Sequence, residues 1–144
     1  MSRPLLIGAD HGGFELKERL KKFLDARKVS YEDLGTHSPE SVDYPDLARA
    51  VAEAVGRGQA ERGLLVCGTG QGMAIAANRY RGVRAATPCD EATARLVREH
   101  NDANVLALGG RVLEPELAER ILGVFLDTPF AGGRHERRIH KIDS

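Results

Sequence analysis

The stretch Leu64–Tyr80, LLVCGTGQGMAIAANRY, decides the fold. An apolar run ending at Cys67 has the character of a buried strand. Three glycines alternate directly behind it, at Gly68, Gly70 and Gly72, and a helical pattern begins at once. A strand, a glycine loop and a helix in that order turn several free amides and the positive end of a helix dipole toward one point. The junction reads as an anion cradle, for a phosphate or for an oxyanion formed during a reaction. The plainer reading is a tight turn whose glycines serve packing alone. Two nucleotide motifs are excluded: no GxxxxGK[ST] occurs, and Met73 stands where a dinucleotide fingerprint has glycine or alanine.

Working outward, apolar runs with strand character recur at Leu5–Ala9, Val29–Leu34, Val83–Thr87 and Val105–Leu108, which with Leu64–Cys67 makes five. Between them apolar residues repeat at helical spacing: Leu16, Leu20, Phe23 and Leu24; Leu47, Val51 and Val55; Leu117, Ile121 and Phe125. Pro45 and Pro115 fit a first helical turn, and Asp90 fits an N-cap before a helix over Glu91–Glu99. Alternating strands and helices joined by short connections imply a parallel sheet covered on both faces. The expectation is an α/β fold: a single doubly wound, Rossmann-like domain over residues 1–144 with a five-stranded parallel sheet. A C-terminal helical arm follows over residues 127–144, after the break at Gly132-Gly133.

Composition narrows the classes of function. Among 144 residues, Lys plus Arg and Asp plus Glu number 21 each, so no net field draws the molecule to nucleic acid or anionic lipid. No run approaches the ~18 apolar residues of a membrane span, and the apolar stretch in MSRPLLIGAD is too short for a signal peptide. Two cysteines without a CxxC pair point to free thiols in a reducing cytoplasm. The histidines lack ligand spacing, so no metal is expected.

In such sheets ligands bind beyond the carboxyl ends of the strands. Those ends here read Asp10-His11-Gly12-Gly13, Cys67-Gly68-Thr69-Gly70-Gln71-Gly72 and Gly109-Gly110-Arg111. Cys67 is either a small core hydrophobe or a thiol activated at a helix N-terminus to act as base or nucleophile, with Thr69 donating to the same charge. His100 closes a helix, where it serves as a proton donor or as a cap for terminal carbonyls. Arg134 and Arg138 lie four apart on one face of the arm helix, and with Arg111 they can grip a phosphate.

These residues resemble one family along essentially the whole chain: the type B ribose-5-phosphate isomerases, which share a fold with galactose-6-phosphate isomerase subunits. The resemblance rests on Asp10-His11-Gly12-Gly13-Phe14, Asp43-Tyr44-Pro45, Cys67 to Gly72, Ala76-Ala77-Asn78, His100 to Leu106 and Gly132-Gly133-Arg134-His135, in that order. It implies interconversion of D-ribose 5-phosphate and D-ribulose 5-phosphate, a step of the pentose phosphate pathway, through a cis-enediolate and without a cofactor. Cys67 would be the base, and the loop Gly68, Gly70, Gln71 and Gly72 would stabilise the charge developing on oxygen. Another branch of the family carries a glutamate after the third glycine, where this chain has Met73. By the same resemblance His100 opens the furanose ring, Asp10 and Asn101 hold sugar hydroxyls, Thr69 lies beside the enediolate and Tyr44 lines the sugar pocket. His11, Arg111, Arg134 and Arg138 bind the phosphate. The family builds its site between subunits, which implies a homodimer, or a tetramer, with shared active sites. Two rival readings are an isomerase of galactose 6-phosphate, allose 6-phosphate or a tetrulose phosphate, and a sugar-phosphate binding module without turnover.

Overall fold

The computed structural model describes residues 1–144. Five strands, β1 (Leu5–Ala9), β2 (Tyr31–Asp33), β3 (Gly63–Cys67), β4 (Ala85–Ala86) and β5 (Val105–Gly109), form one sheet in the order β2-β1-β3-β5-β4, all parallel. Helices α1 (Phe14–Ala26), α2 (Tyr44–Gly56), α3 (Gln71–Ala77), α4 (Glu91–Glu99) and α5 (Pro115–Asp127) connect or follow the strands, and α6 (Arg134–Asp143) ends the chain. The expected N-caps and first-turn prolines are in place: Asp90 accepts from the Thr93 amide at 2.7 Å, and Pro45 and Pro115 open α2 and α5.

Side chains alternate across the sheet, and each parity fills one core. Leu5, Ile7, Leu64, Val66, Leu106 and Leu108 meet Leu16, Leu20 and Leu24 of α1 and Ile121, Leu122 and Phe125 of α5. Leu6, Leu65, Cys67, Val105 and Ala107 meet Ala48, Val51 and Val55 of α2 and Met73, Ala74 and Ala77 of α3. Each large side chain among them contributes about 1.5–3 kcal/mol by leaving water. The three central strands have no exposed residue, as expected of a parallel sheet covered on both faces.

The edge strands are shorter than their apolar runs. Val29–Leu34 yields only Tyr31–Asp33, because Lys28 takes a positive φ of 58° and the Val29 amide still closes α1 on Leu24. Val83–Thr87 yields only Ala85–Ala86. The Arg84 amide is taken by the Asn104 side chain at 2.7 Å, and Pro88 lacks an amide. Asn78 blocks this exposed edge, accepting from the Ala85 amide at 2.7 Å and donating to its carbonyl at 3.0 Å.

Of the three buried charged residues, Asp10, Lys17 and Arg98, one is wholly enclosed. The Lys17 side chain, fully buried, donates to Asp33 at 2.6 Å and to the Thr36 carbonyl at 2.7 Å, tying α1 to the loop after β2. Burial alone would push the Asp33 carboxyl up. Hydrogen bonds from Lys17, Lys21 and the Gly35 amide outweigh it and hold the group below the usual carboxylate range. Lys21, bonded to the same carboxylate, is pushed up to about 12. With its pKa depressed by folding, Asp33 stabilises the protein above the ordinary carboxylate range, and that contribution fades as pH falls through its folded value. Asp33→Asn should cost at most about 3–5 kcal/mol at neutral pH, because it takes the closest carboxylate from the buried ammonium and leaves it only Glu18 at 3.3 Å. Urea unfolding of both proteins should show the gap closing as the buffer is made acidic.

Candidate active site

The strand order places β1 and β3 side by side where the chain reverses its direction of winding, the position at which α/β sheets open a crevice. The loops after β1, β3 and β5 converge there. Asp10 is buried, and its Oδ1 accepts from the amides of Gly12 at 2.9 Å and Gly13 at 3.1 Å. Its visible work is thus to fold the first loop, with one oxygen uncommitted. Gly12 lies against the backbone of Gly68, and a side chain at either would meet Arg111. The amide of Gly110 donates to the Cys67 carbonyl at 2.8 Å and that of Arg111 to the Gly68 carbonyl at 2.9 Å, locking the ends of β3 and β5 together.

His11 and Arg111 line a cleft of about 240 Å³ with Gly12, Phe14, Pro39 and Gly110. The Val42 amide donates to His11 Nδ1 at 3.2 Å, so Nε2 carries the proton of the neutral ring. The His11 Nε2–H and the Arg111 guanidinium both offer donors to an anion in that cleft, which Glu15 also lines.

Cys67 is 5% exposed, and its Sγ accepts from the Gly70 amide at 3.2 Å. It is a member of the α2/α3 core, and its sulfur at the same time takes a hydrogen bond from the glycine loop. Gly70 has a φ of +85°, which L side chains rarely adopt, and a Cβ there would lie 3.0 Å from the Leu108 carbonyl carbon. Thr69 Oγ1 accepts from the Gln71 amide at 3.3 Å. The amides of Gly68, Thr69 and Gly72 donate to no atom of the chain, the property an oxyanion cradle needs. Tyr44, the first residue of α2, lays its ring over Gly72, where a methyl would come within 2.7 Å of it. No three His, Cys, Asp or Glu side chains are grouped to hold a metal.

The other expected site residues lie elsewhere. His100 and Asn101 follow α4, which returns the chain to the amino ends of the strands; there the Gly63 amide donates to Asn104 at 2.9 Å and Gly63 pairs with Val105. Cys67 stands four residues further along β3, roughly 13 Å away along the strand. Arg134 and Arg138 project from α6, which packs beside α4: the Ala131 amide donates to Glu99 at 3.1 Å, and the His100 and His135 rings stack with centroids 4.3 Å apart. One chain therefore presents two groups at opposite ends of its sheet. The first holds Asp10, His11, Tyr44, Cys67 to Gly72 and Arg111. The second holds His100, Asn101, Arg134 and Arg138.

A family model described as Ribose/Galactose Isomerase matches residues 5–142. The chain belongs to the ribose/galactose isomerase family. Among this family's members, ribose-5-phosphate isomerase B of Escherichia coli is 44% identical over 97% of this chain and 94% of its own. A putative sugar phosphate isomerase of Bacillus subtilis is 47% identical over 94% and 92%. The crystal structure of a ribose 5-phosphate isomerase from Thermotoga maritima superposes with a TM-score of 0.95 at 53% identity, covering 99% of both chains. That of ribose-5-phosphate isomerase B from Mycoplasma genitalium, with bound ribulose-5-phosphate, gives 0.95 at 41% identity, covering 99% of this chain and 95% of the other. The five-stranded parallel architecture is thus the family's own.

Sequence reasoning missed two contacts and gave a third residue no role. The Val42 amide that orients His11 has no side-chain signature. Lys17 sits at a core position of α1 where a leucine pattern hides it. His135 was visible only as part of a motif. The loop's dependence on Gly70 is testable. Gly70→Ala should lower stability by about 1–3 kcal/mol in denaturant unfolding. It should also speed reaction of Cys67 with a thiol reagent, which in the unsubstituted protein labels exposed Cys89 first; peptide mass spectrometry distinguishes the two sites.

Proposed function

We propose that this chain interconverts D-ribose 5-phosphate and D-ribulose 5-phosphate by proton transfer at Cys67. The observation that carries the reading is the Cys67 sulfur, held at 3.2 Å from the Gly70 amide beside three amides without acceptors. In the aldose, Cys67 as thiolate takes the C2 proton. The C–H electron pair becomes the C1–C2 double bond, and negative charge moves onto O1. The free amides of Gly68, Thr69 and Gly72 face that charge, and a single well-placed donor of this kind contributes about 3–4 kcal/mol. The O2 proton passes to O1, Thr69 lying beside both oxygens, and Cys67 returns its proton to C1 to leave the ketose. Met73, where a related branch has glutamate, is fully buried among α2 and α3 side chains, which leaves Cys67 as the base.

Most of the substrate in water is a closed furanose, and His100 is the group to open it by protonating the ring oxygen. Asn101 and the uncommitted oxygen of Asp10 bind hydroxyls, and His11, Arg111, Arg134 and Arg138 bind the phosphate. Because one chain holds these groups at opposite ends of its sheet, the working site is completed by a second copy related by a two-fold axis, residues 1–144 acting as one isomerase unit. In an isologous dimer each site takes Cys67 from one copy and His100 from the other.

NMR of D-ribose 5-phosphate in D₂O should show ketose forming with solvent deuterium incorporated, and Cys67→Ala should slow this by about 10²- to 10⁴-fold. Binding without exchange would favour a non-catalytic module, and turnover only of four- or six-carbon phosphates would move the assignment to those substrates. Mixing Cys67→Ala with His100→Asn chains under subunit exchange should restore about a quarter of full activity, since half the dimers are mixed and each has one intact site. Two inactive variants that stay inactive together would rule out shared sites.

A further inference from the structure

His100 is exposed at the end of α4, and only its backbone amide is tied down, to the Leu96 carbonyl at 2.8 Å. Its ring makes no hydrogen bond within the chain. The His135 ring stacks on it, parallel within 15° at a centroid distance of 4.3 Å. His135 arrives there by construction. Gly132 and Gly133, with φ of 69° and 61°, turn the chain out of α5, and Ala131 is bonded to Glu99, the residue before His100. Ile139, four residues on and so on the same face of α6 as His135, is buried, and Arg84 holds Asp143 at 2.8 Å at the far end. Arg134 and Arg138 stand on the adjacent, exposed face of the same helix.

We propose that His135 is a positioning residue for His100: its ring, delivered by α6, sets the plane from which His100 transfers a proton to the furanose ring oxygen. Seating of the helix that carries the phosphate-binding arginines and alignment of the proton donor are then one event. This rests on the isomerase reading given above. The charges acting on the His135 ring are His100 from α4 and Arg134 and Arg138 from its own helix. Desolvation first, then repulsion from the neighbouring imidazole when it is charged and from the two guanidinium groups, hold its pKa below the ordinary histidine value. A neutral ring is the partner the stack needs, since two imidazolium rings face to face would repel.

The substrates themselves supply a test. D-Ribose 5-phosphate must be opened before proton transfer, whereas D-ribulose 5-phosphate, with O5 esterified, cannot close a furanose ring. Exchange of its C1 hydrogen with D₂O therefore reports the Cys67 step without ring opening. His135→Ala should lower kcat for D-ribose 5-phosphate by roughly 10- to 100-fold through misalignment of His100. C1 exchange on D-ribulose 5-phosphate and inhibition by inorganic phosphate should stay nearly unchanged. His135→Phe, which keeps a flat ring, should recover most of the lost rate. Equal loss in both reactions, loss of phosphate inhibition, or no loss at all would overturn the proposal. Absence of C1 exchange in the unsubstituted protein would instead fail the isomerase reading, and it is seen before any variant is compared.

Discussion

Everything at the candidate site depends on backbone packing directly against backbone at the carboxyl edge of the sheet. A Cβ on Gly13 would sit 2.3 Å from the Val66 carbonyl oxygen, and one on Gly110 would sit 2.7 Å from that of Gly12. Such overlaps involve main chain and cannot be relieved by a rotamer change. The three loops after β1, β3 and β5 can therefore meet only because their contact surfaces carry no side chains. Two consequences follow together. Amides that would otherwise be screened by side chains stay open to a ligand, and the few side chains that remain at the edge, Asp10, His11, Cys67, Thr69 and Arg111, are polar or reactive.

The same winding that gathers those loops separates them from the second group. In a parallel sheet each crossover helix carries the chain back from the carboxyl edge to the amino edge. A residue at a helix C-terminus, such as His100 after α4, is delivered to the end opposite Cys67. No loop rearrangement within one chain spans a core in which β3 and β5 are fully buried. On the proposed mechanism the fold confines base and acid to different ends, and association of two copies is the economical way to join them. The molecule's zero net charge fits this view. On that mechanism the phosphate is met by local guanidinium groups from both ends and not by a global field, and with no net charge copies of the chain do not repel one another strongly.

Much of this is legible in the sequence, and the losses have physical causes. Apolar runs locate the strands and helical periodicity locates α1, α2 and α5, because a strand buried on both faces and an amphipathic helix leave plain patterns in composition; α3, α4 and α6 are marked instead by the glycine loop, the Asp90 cap and the Gly132-Gly133 break. The order of strands leaves no such mark: the jump of β4 to the outer side of β5 is a matter of tertiary pairing. Apolar runs overstate the edge strands, since hydrophobicity reports burial and not whether a backbone amide has a strand partner. Among site residues, Cys67, His11 and Arg111 fall where the rule of strand carboxyl ends puts them. That His100 faces the opposite end also follows from that rule once the strand after it is known. The roles of Val42 and Lys17 are not legible. Val42 acts through its amide, and Lys17 occupies one more position on the apolar face of α1.

On the proposed mechanism, the division of labour between cradle and base explains why a single cysteine suffices. The amides of Gly68, Thr69 and Gly72 are placed by the glycine contacts and by the positive φ of Gly70, none of which depends on the identity of the base. Charge stabilisation is therefore a property of the fold, present before any proton moves, and the proton-transferring group need only reach the same carbon atoms. A thiol at the end of β3 does so from the strand, whereas an acid after the third glycine would do so from α3. In this chain the α3 position is filled by Met73, packed at zero exposure in the α2/α3 core, where a carboxylate could not be ionised without a partner. On that mechanism, core packing on one face of the sheet selects which residue serves as base on its edge.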